Sequence, residues 1–177
     1  EQEAAATRRV LERVPQQHLT WRPHARSMSL GQLAMHVATI PGNVARGAAA
    51  DVMESPGFVH PEATSSAELL TLLDQSLAQA RDLVSAMDDG RMAETWRLTK
   101  DGQEILALPR MAFLRSVMLN HWYHHRGQLL VYLRMHDVPV PLARRRRACA
   151  DRHVLRAVAR AAGAALRAGM PVATEGA

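Results

Sequence analysis

Apolar residues recur at intervals of three and four along most of this chain, the spacing that lines up one face of an α-helix. Val10, Leu11 and Val14 form the first such stripe, on a helix over residues 1 to 14 that Pro15 stops. Ser29, with Gln32 three residues on, opens a second helix by satisfying two free N–H groups of its first turn. Counting on by threes and fours gives Gln32, Leu33, His36, Ile40 and Asn43, which turns His36 inward, and Pro41 with Gly42 predicts a break or kink just after. Ser65 and Glu68 repeat the capping pattern ahead of Leu69, Leu72, Leu73, Leu77, Ala80 and Val84, a third helix that ends near Gly90.

The period changes between Met92 and Leu108, where Asp101 and Gly102 separate two β-prone runs and predict a small hairpin. Pro109 suits the first turn of a fourth helix, which runs to about His136 before DVPVP ends it. On that helix Leu114, Val117, Met118, His121, His125, Gln128 and Tyr132 fall within roughly 40 to 60° of one another. Met53 to Thr64 reads as a loop, with His60 as a solvated loop residue. In the long connection QQHLTWRPHARSM, Trp21 and Pro23 are expected to pack over an end of the helices.

Composition agrees with helices. Aromatic residues make up 4% of the chain against 47% hydrophobic residues overall, whereas sheets favour aromatic and β-branched side chains. The expectation is an all-α fold with one domain over residues 1–141, followed by an Arg/Ala-rich extension, helical or disordered, over 142–177. A helix from about Cys149 to Ala168, with Val154, Leu155, Val158 and Leu166 on a modest apolar side, is the helical form of that extension.

The formal charge of +5 sits in the extension. Of 22 basic and 17 acidic residues, eight and two lie in 142–177, leaving 14 and 15 in a nearly neutral body. Nucleic acid is therefore not the expected partner of the body, and any affinity for it rests on the basic tail, where Arg144 to Arg147 form a run. No apolar run is long enough to span a bilayer, and the single cysteine, Cys149, cannot form an intramolecular disulfide, so the expected location is cytoplasmic. Cys149 itself reads as incidental.

The candidate chemistry lies in NHWYHHRGQLLVY, residues 120–132. His121 and His125 stand one helical turn apart, and His36 lies on another inward face. Neutral imidazoles buried together each need a hydrogen-bond partner, and one divalent metal satisfies three lone pairs at once. Three imidazoles without carboxylates suit zinc or nickel, with iron or cobalt next, over magnesium or calcium. Three protein ligands leave an open position for water or substrate, as in catalytic zinc sites. His124, about 60° from His121, is the alternative to His125. Gln32, Gln128 and Tyr132 are candidates to orient a ligand or touch substrate. Arg126 could hold an anionic group, but it points about 100° away from His125 and reads better as an ion pair between helices. Gly127, costly inside a helix, hints at close helix contact.

The segments SMSLGQLAMHVATIPG, NHWYHHRGQLLVYLR and DVPVP resemble the DinB-like, or YfiT-like, family of metal-binding four-helix bundles, over most of residues 1–141 and including the WRP loop. The resemblance implies an up-down-down-up bundle, often a homodimer, whose metal is held by one histidine of the second helix and two of the last, here His36, His121 and His125. It implies possible chemistries too: a metal-dependent transferase using a low-molecular-weight thiol, with a small-molecule substrate. The alternatives are a non-catalytic, metal-stabilised dimeric bundle, and a metal-dependent hydrolase or nucleic-acid-associated stress protein. The resemblance ends after Pro141.

Overall fold

The computed structural model describes residues 2–55, 57 and 59–140, so the extension at 142–177 and its expected helix lie outside the described residues. The chain is mostly helical, with one small sheet. In order it forms α1 (Gln2–Leu11), a 3-10 turn (Gln16–His18), α2 (Leu30–Ala49), β1 (Val52–Glu54), α3 (Ser66–Ser85), α4 (Asp89–Ala93), β2 (Thr95–Lys100), β3 (Gln103–Pro109) and α5 (Arg110–Phe113). A π-helical segment (Leu114–Asn120) then leads without a break in helical dihedrals into α6 (His121–Met135). No helix among the described residues is long and apolar enough to cross a membrane.

The caps expected from sequence are made. Ser29 Oγ accepts from the Gln32 N–H at 3.1 Å, while Gln32 Oε1 accepts from the Ser29 N–H at 2.9 Å. Ser65 Oγ accepts from the Glu68 N–H at 3.1 Å. The third helix holds its whole apolar stripe but ends at Ser85, short of the expected Gly90, and Asp88 caps a separate short helix by accepting from the Arg91 N–H at 2.7 Å.

Pro41 does not break α2, which continues to Ala49. The absent N–H of residue 41 leaves the Val37 carbonyl without its helical partner. Trp122 Nε1 on α6 donates to that carbonyl at 2.8 Å. The disturbed turn is completed from α3, where Ser76 Oγ accepts from the Gly42 N–H at 2.8 Å and donates to the Thr39 carbonyl at 3.2 Å. Gly42 is needed there, since a β-carbon would stand 2.8 Å from Gln79 Oε1 and 3.0 Å from Ser76 Cα.

The main core draws on four helices: Val10 and Leu11 of α1, Leu33, Val37 and Ile40 of α2, Leu69 and Leu73 of α3, and Trp122, Leu129 and Leu133 of α6. On α6 the fully buried line therefore runs beside the predicted stripe, with His121, His125 and Tyr132 half-buried on its flank. The π-helical segment is the physical reason, because its i→i+5 bonds interrupt the 3.6-residue count carried through from Leu114. Trp21 packs edge-on against Tyr132, with ring centroids 5.5 Å apart, and His18 stacks on His136 at 4.2 Å, so the 16–27 connection lies on the C-terminal end of α6.

A second core forms around the hairpin. Asp101 and Gly102, both at positive φ (52° and 73°), make the tight turn between β2 and β3 that the Asp-Gly pair predicts. The purely loop reading of 53–64 is corrected at its start, for β1 adds a third strand, parallel to β2 with Val52 opposite Arg97. Trp96 stacks on Phe113 at 3.7 Å and donates through Nε1 to the Gly47 carbonyl at 2.9 Å. Arg110, wholly buried, donates through Nε to the Ala48 carbonyl at 2.7 Å, and through Nη2 to the Ala50 carbonyl at 3.2 Å and to Asp51 at 2.7 Å. These bonds occupy carbonyls that the end of α2 would otherwise leave unpaired, and they place a cation at the negative pole of that helix.

Gly127 meets no close helix: a β-carbon there would find nothing within 4 Å. Gly127→Ala is therefore expected to stabilise the protein by about 1 kcal/mol in denaturant unfolding. Trp122→Phe is expected to cost about 1–3 kcal/mol by orphaning the Val37 carbonyl. Adding Pro41→Ala should recover part of that loss, because an alanine at that position supplies the missing N–H. Equal stability of the single and double variants would contradict this account.

Candidate metal centre

α2 and α6 carry the three histidines to one point. The Trp122 to Val37 bond joins residues 85 apart, and His36 and His121, the residues just before them, are likewise 85 apart. Registering one pair registers the other. The Nε2 atoms of His36 and His121 lie 2.9 Å apart, and one turn along α6 the His125 ring lies 4.6 Å from that of His36 and 4.3 Å from that of His121, centroid to centroid. One ligand nitrogen from each residue lies within 4.8 Å of the others, and all three side chains are half-buried. At bond lengths of about 2 Å, one ion reaches all three after small side-chain rotations.

The electrostatics keep these imidazoles neutral. His36 is lowered to about 4, first by burial and then by the neighbouring His125, His121 and His60. His121 is lowered by burial and by His124; His125 is lowered by burial, opposed by its hydrogen bond to Gln128. Neutral lone pairs are what a transition metal requires. Within that last bond the two atoms, His125 Nδ1 and Gln128 Oε1, stand 2.7 Å apart. With Nδ1–H as the donor, the tautomer is fixed and Nε2 is left free for ligation.

The other candidates are distributed around this point. His124 is exposed, with its ring 5.0 Å from that of His125, and lies outside the three-residue cluster. Arg126 forms the inter-helix ion pair, donating to Glu3 Oε2 at 2.6 Å and to Thr7 Oγ1 at 3.1 Å, away from any ligand. Tyr132 donates to the Met28 carbonyl at 3.4 Å and packs on Trp21, two turns beyond His125. Gln32 uses Nε2 to hold the His60 carbonyl at 3.0 Å.

That contact corrects the reading of His60 as a solvated loop residue. It is half-buried, and its ring stands edge-on to His36 at 5.7 Å. Sequence spacing carried no signal for this, because the connection between α2 and α3 has no period. His60, Gln32, His36, Asn43, Glu62 and Glu68 line a cleft of about 440 Å³ beside the triad. Trp122 was the other residue missed. Its signal was present in principle, as an indole donor one residue from a candidate ligand and a proline that must orphan a carbonyl one residue from another.

A helical chain that brings three imidazoles together from two helices defines a class of proteins able to hold a single transition-metal ion. The profile of the DinB superfamily matches residues 1–129, and the chain belongs to that superfamily. Solved structures with the same fold include a DinB-like protein from Bacillus subtilis, 18% identical, with a TM-score of 0.59 over 78% of this chain and 90% of the other. Another is a DinB-like protein from Bacillus cereus, 22% identical, with a TM-score of 0.61 over 78% and 89%. No curated protein matches the sequence.

The lowered histidines fix the sign of a pH dependence for the metal-free protein. As pH falls below about 6.5, the unfolded chain takes up protons before the folded one, so stability is full above that value and declines toward pH 4. The loss from His36 is expected to be about 1–2 kcal/mol, discounted for solvent screening of a partly exposed group. Thermal melts between pH 7.5 and 4.5 should show the decline, and His36→Gln should flatten it.

Proposed function

We propose that His36, His121 and His125 hold one divalent transition metal, zinc or nickel ahead of iron, and that the protein is a metal-dependent transferase acting with a low-molecular-weight thiol. The convergence of three neutral imidazoles within 4.8 Å carries this reading. The donor set fits such an ion: the ligands are neutral, one is oriented by Gln128, and no carboxylate belongs to the cluster. In this reading the helices form the up-down-down-up bundle of the family and associate as a homodimer.

When bound, the metal supplies Lewis acidity that lowers the pKa of a thiol or water at the open position. The chain's own residues do the rest. Gln128 holds the His125 ring in place, His36 offers its nitrogen across the helix interface, and a cleft lined by His36 and His60 adjoins that one ligand. Arg126, spent on Glu3, takes no part in binding.

A second reading, a metal that only secures the fold, is favoured by one observation: the triad ties together the two helices already joined by Trp122 and Val37. Chelation separates the two. A structural metal predicts a large drop in melting temperature on chelation, and the transferase reading predicts loss of thiol-dependent turnover.

Protein purified without a histidine tag is expected to contain about one metal per chain by elemental analysis. His121→Ala with His125→Ala is expected to remove it. Stoichiometric metal in that double variant would overturn the assignment.

A further inference from the structure

His60 brings a further imidazole to the triad, and it comes from neither ligand-bearing helix but from the connection between β1 and α3. The backbone around it is held firmly. The His60 carbonyl accepts from Gln32 Nε2 at 3.0 Å, one turn of α2 before His36, and Pro61 restricts His60 to an extended conformation. Just beyond, Ser29 Oγ donates to Glu62 Oε1, Ala63 is buried in the main core, and Thr64 donates to Glu68 Oε2 through both its N–H and its hydroxyl. The freedom left at position 60 is that of the side chain.

That side chain is turned inward. Val59 beside it is 83% exposed, whereas His60 is half-buried with its ring edge-on to His36. Burial energy alone would favour the reverse arrangement.

The distance from His36 is that of a co-ligand. An imidazole bound at about 2.1 Å has its ring centre about 3.2 Å from the ion, so two of them on one tetrahedral ion stand about 5 Å apart, centre to centre. The His36 and His60 rings are 5.7 Å apart, against 5.1, 4.6 and 4.3 Å for the three pairs within the triad. His60 also reaches a second ligand electrostatically: burial is the main cause of the lowered pKa of His36 and of His125, and His60 adds to each. Its nitrogens stand outside the 4.8 Å group formed by the other three, so ligation takes an inward swing of the ring on its fixed backbone.

We propose that His60 is a fourth, detachable ligand of the metal, capping from the α2–α3 connection the position that the triad leaves open. The inference rests on the triad being a metal site. Four neutral imidazoles complete the tetrahedron that zinc favours. A thiol or water then gains the metal by displacing His60, and the displaced ring, tethered at an effective concentration in roughly the millimolar range, competes with every incoming ligand.

Cobalt-loaded full-length protein tests this through its visible ligand-field spectrum, in wild type and in His60→Ala. The variant is expected to keep about one cobalt per chain with a shifted, weaker band, since water replaces an imidazole. Free imidazole should restore the band in the variant, and should act on wild type only at a concentration about tenfold higher, because there it must displace a tethered ring. Identical spectra, or an equal response of the two proteins to imidazole, overturn the inference and leave the triad intact. Wild type that takes up no cobalt overturns the triad reading instead.

Should the variant fail to fold, X-ray absorption of zinc-loaded wild type decides. The scattering of four imidazoles is expected, and three imidazoles with an oxygen overturn the inference.

Discussion

The bond from the Trp122 indole to the Val37 carbonyl is the constraint on which the remaining structure depends. A proline inside a helix normally costs about 3 kcal/mol, through a lost hydrogen bond and a clash with the carbonyl one turn back. Here the orphaned carbonyl becomes a docking point for another helix. Once α6 is anchored at Trp122, its neighbour His121 has no freedom to slide away from His36. A defect in one helix thus sets the longitudinal register between two. Hydrophobic contact between Leu33, Val37, Leu129 and Leu133 could not do this alone, because apolar packing is attractive but weakly directional.

The sheet contributes from the opposite end. Trp96 and Phe113 seal a second core, and Arg110 ties the start of the long C-terminal helix to the last carbonyls of α2. A guanidinium fully out of water is tolerable only because its donors find carbonyl and carboxylate partners. The helical run from Arg110 to Met135 is therefore fixed at two points, Arg110 and Trp122, against the same partner helix. The histidines begin at the second of these.

Much of this was legible in the chain. The capping pairs Ser29 with Gln32 and Ser65 with Glu68 located two helix starts, because capping depends only on local hydrogen bonding. Asp101–Gly102 located the hairpin for the same reason. His36, His121 and His125 were legible as a converging set, because i, i+4 spacing and an inward stripe are both short-range properties. Glu3 pairing with Arg126, Arg110 capping α2 and His60 standing against His36 were not, since each depends on segments far apart in sequence that no local period connects. β1 escaped notice because three residues are too few to show alternation. The buried line on α6 was displaced for a different reason: helical counting assumes uniform winding, and the π-helical segment breaks that assumption.

Two fixed points with an irregular stretch between them make the number of intervening residues a specification in its own right. Removing one residue between Arg110 and His121 would leave composition and hydropathy nearly unchanged, yet it would force the π-helical segment to tighten to α-helical winding or else turn the histidine-bearing face relative to the arginine. Substitution within that stretch should be tolerated far more readily than a change in its length. In distant homologues, the spacing from the buried arginine to the first histidine is then a sharper mark of a shared metal centre than the identity of any residue lying between them.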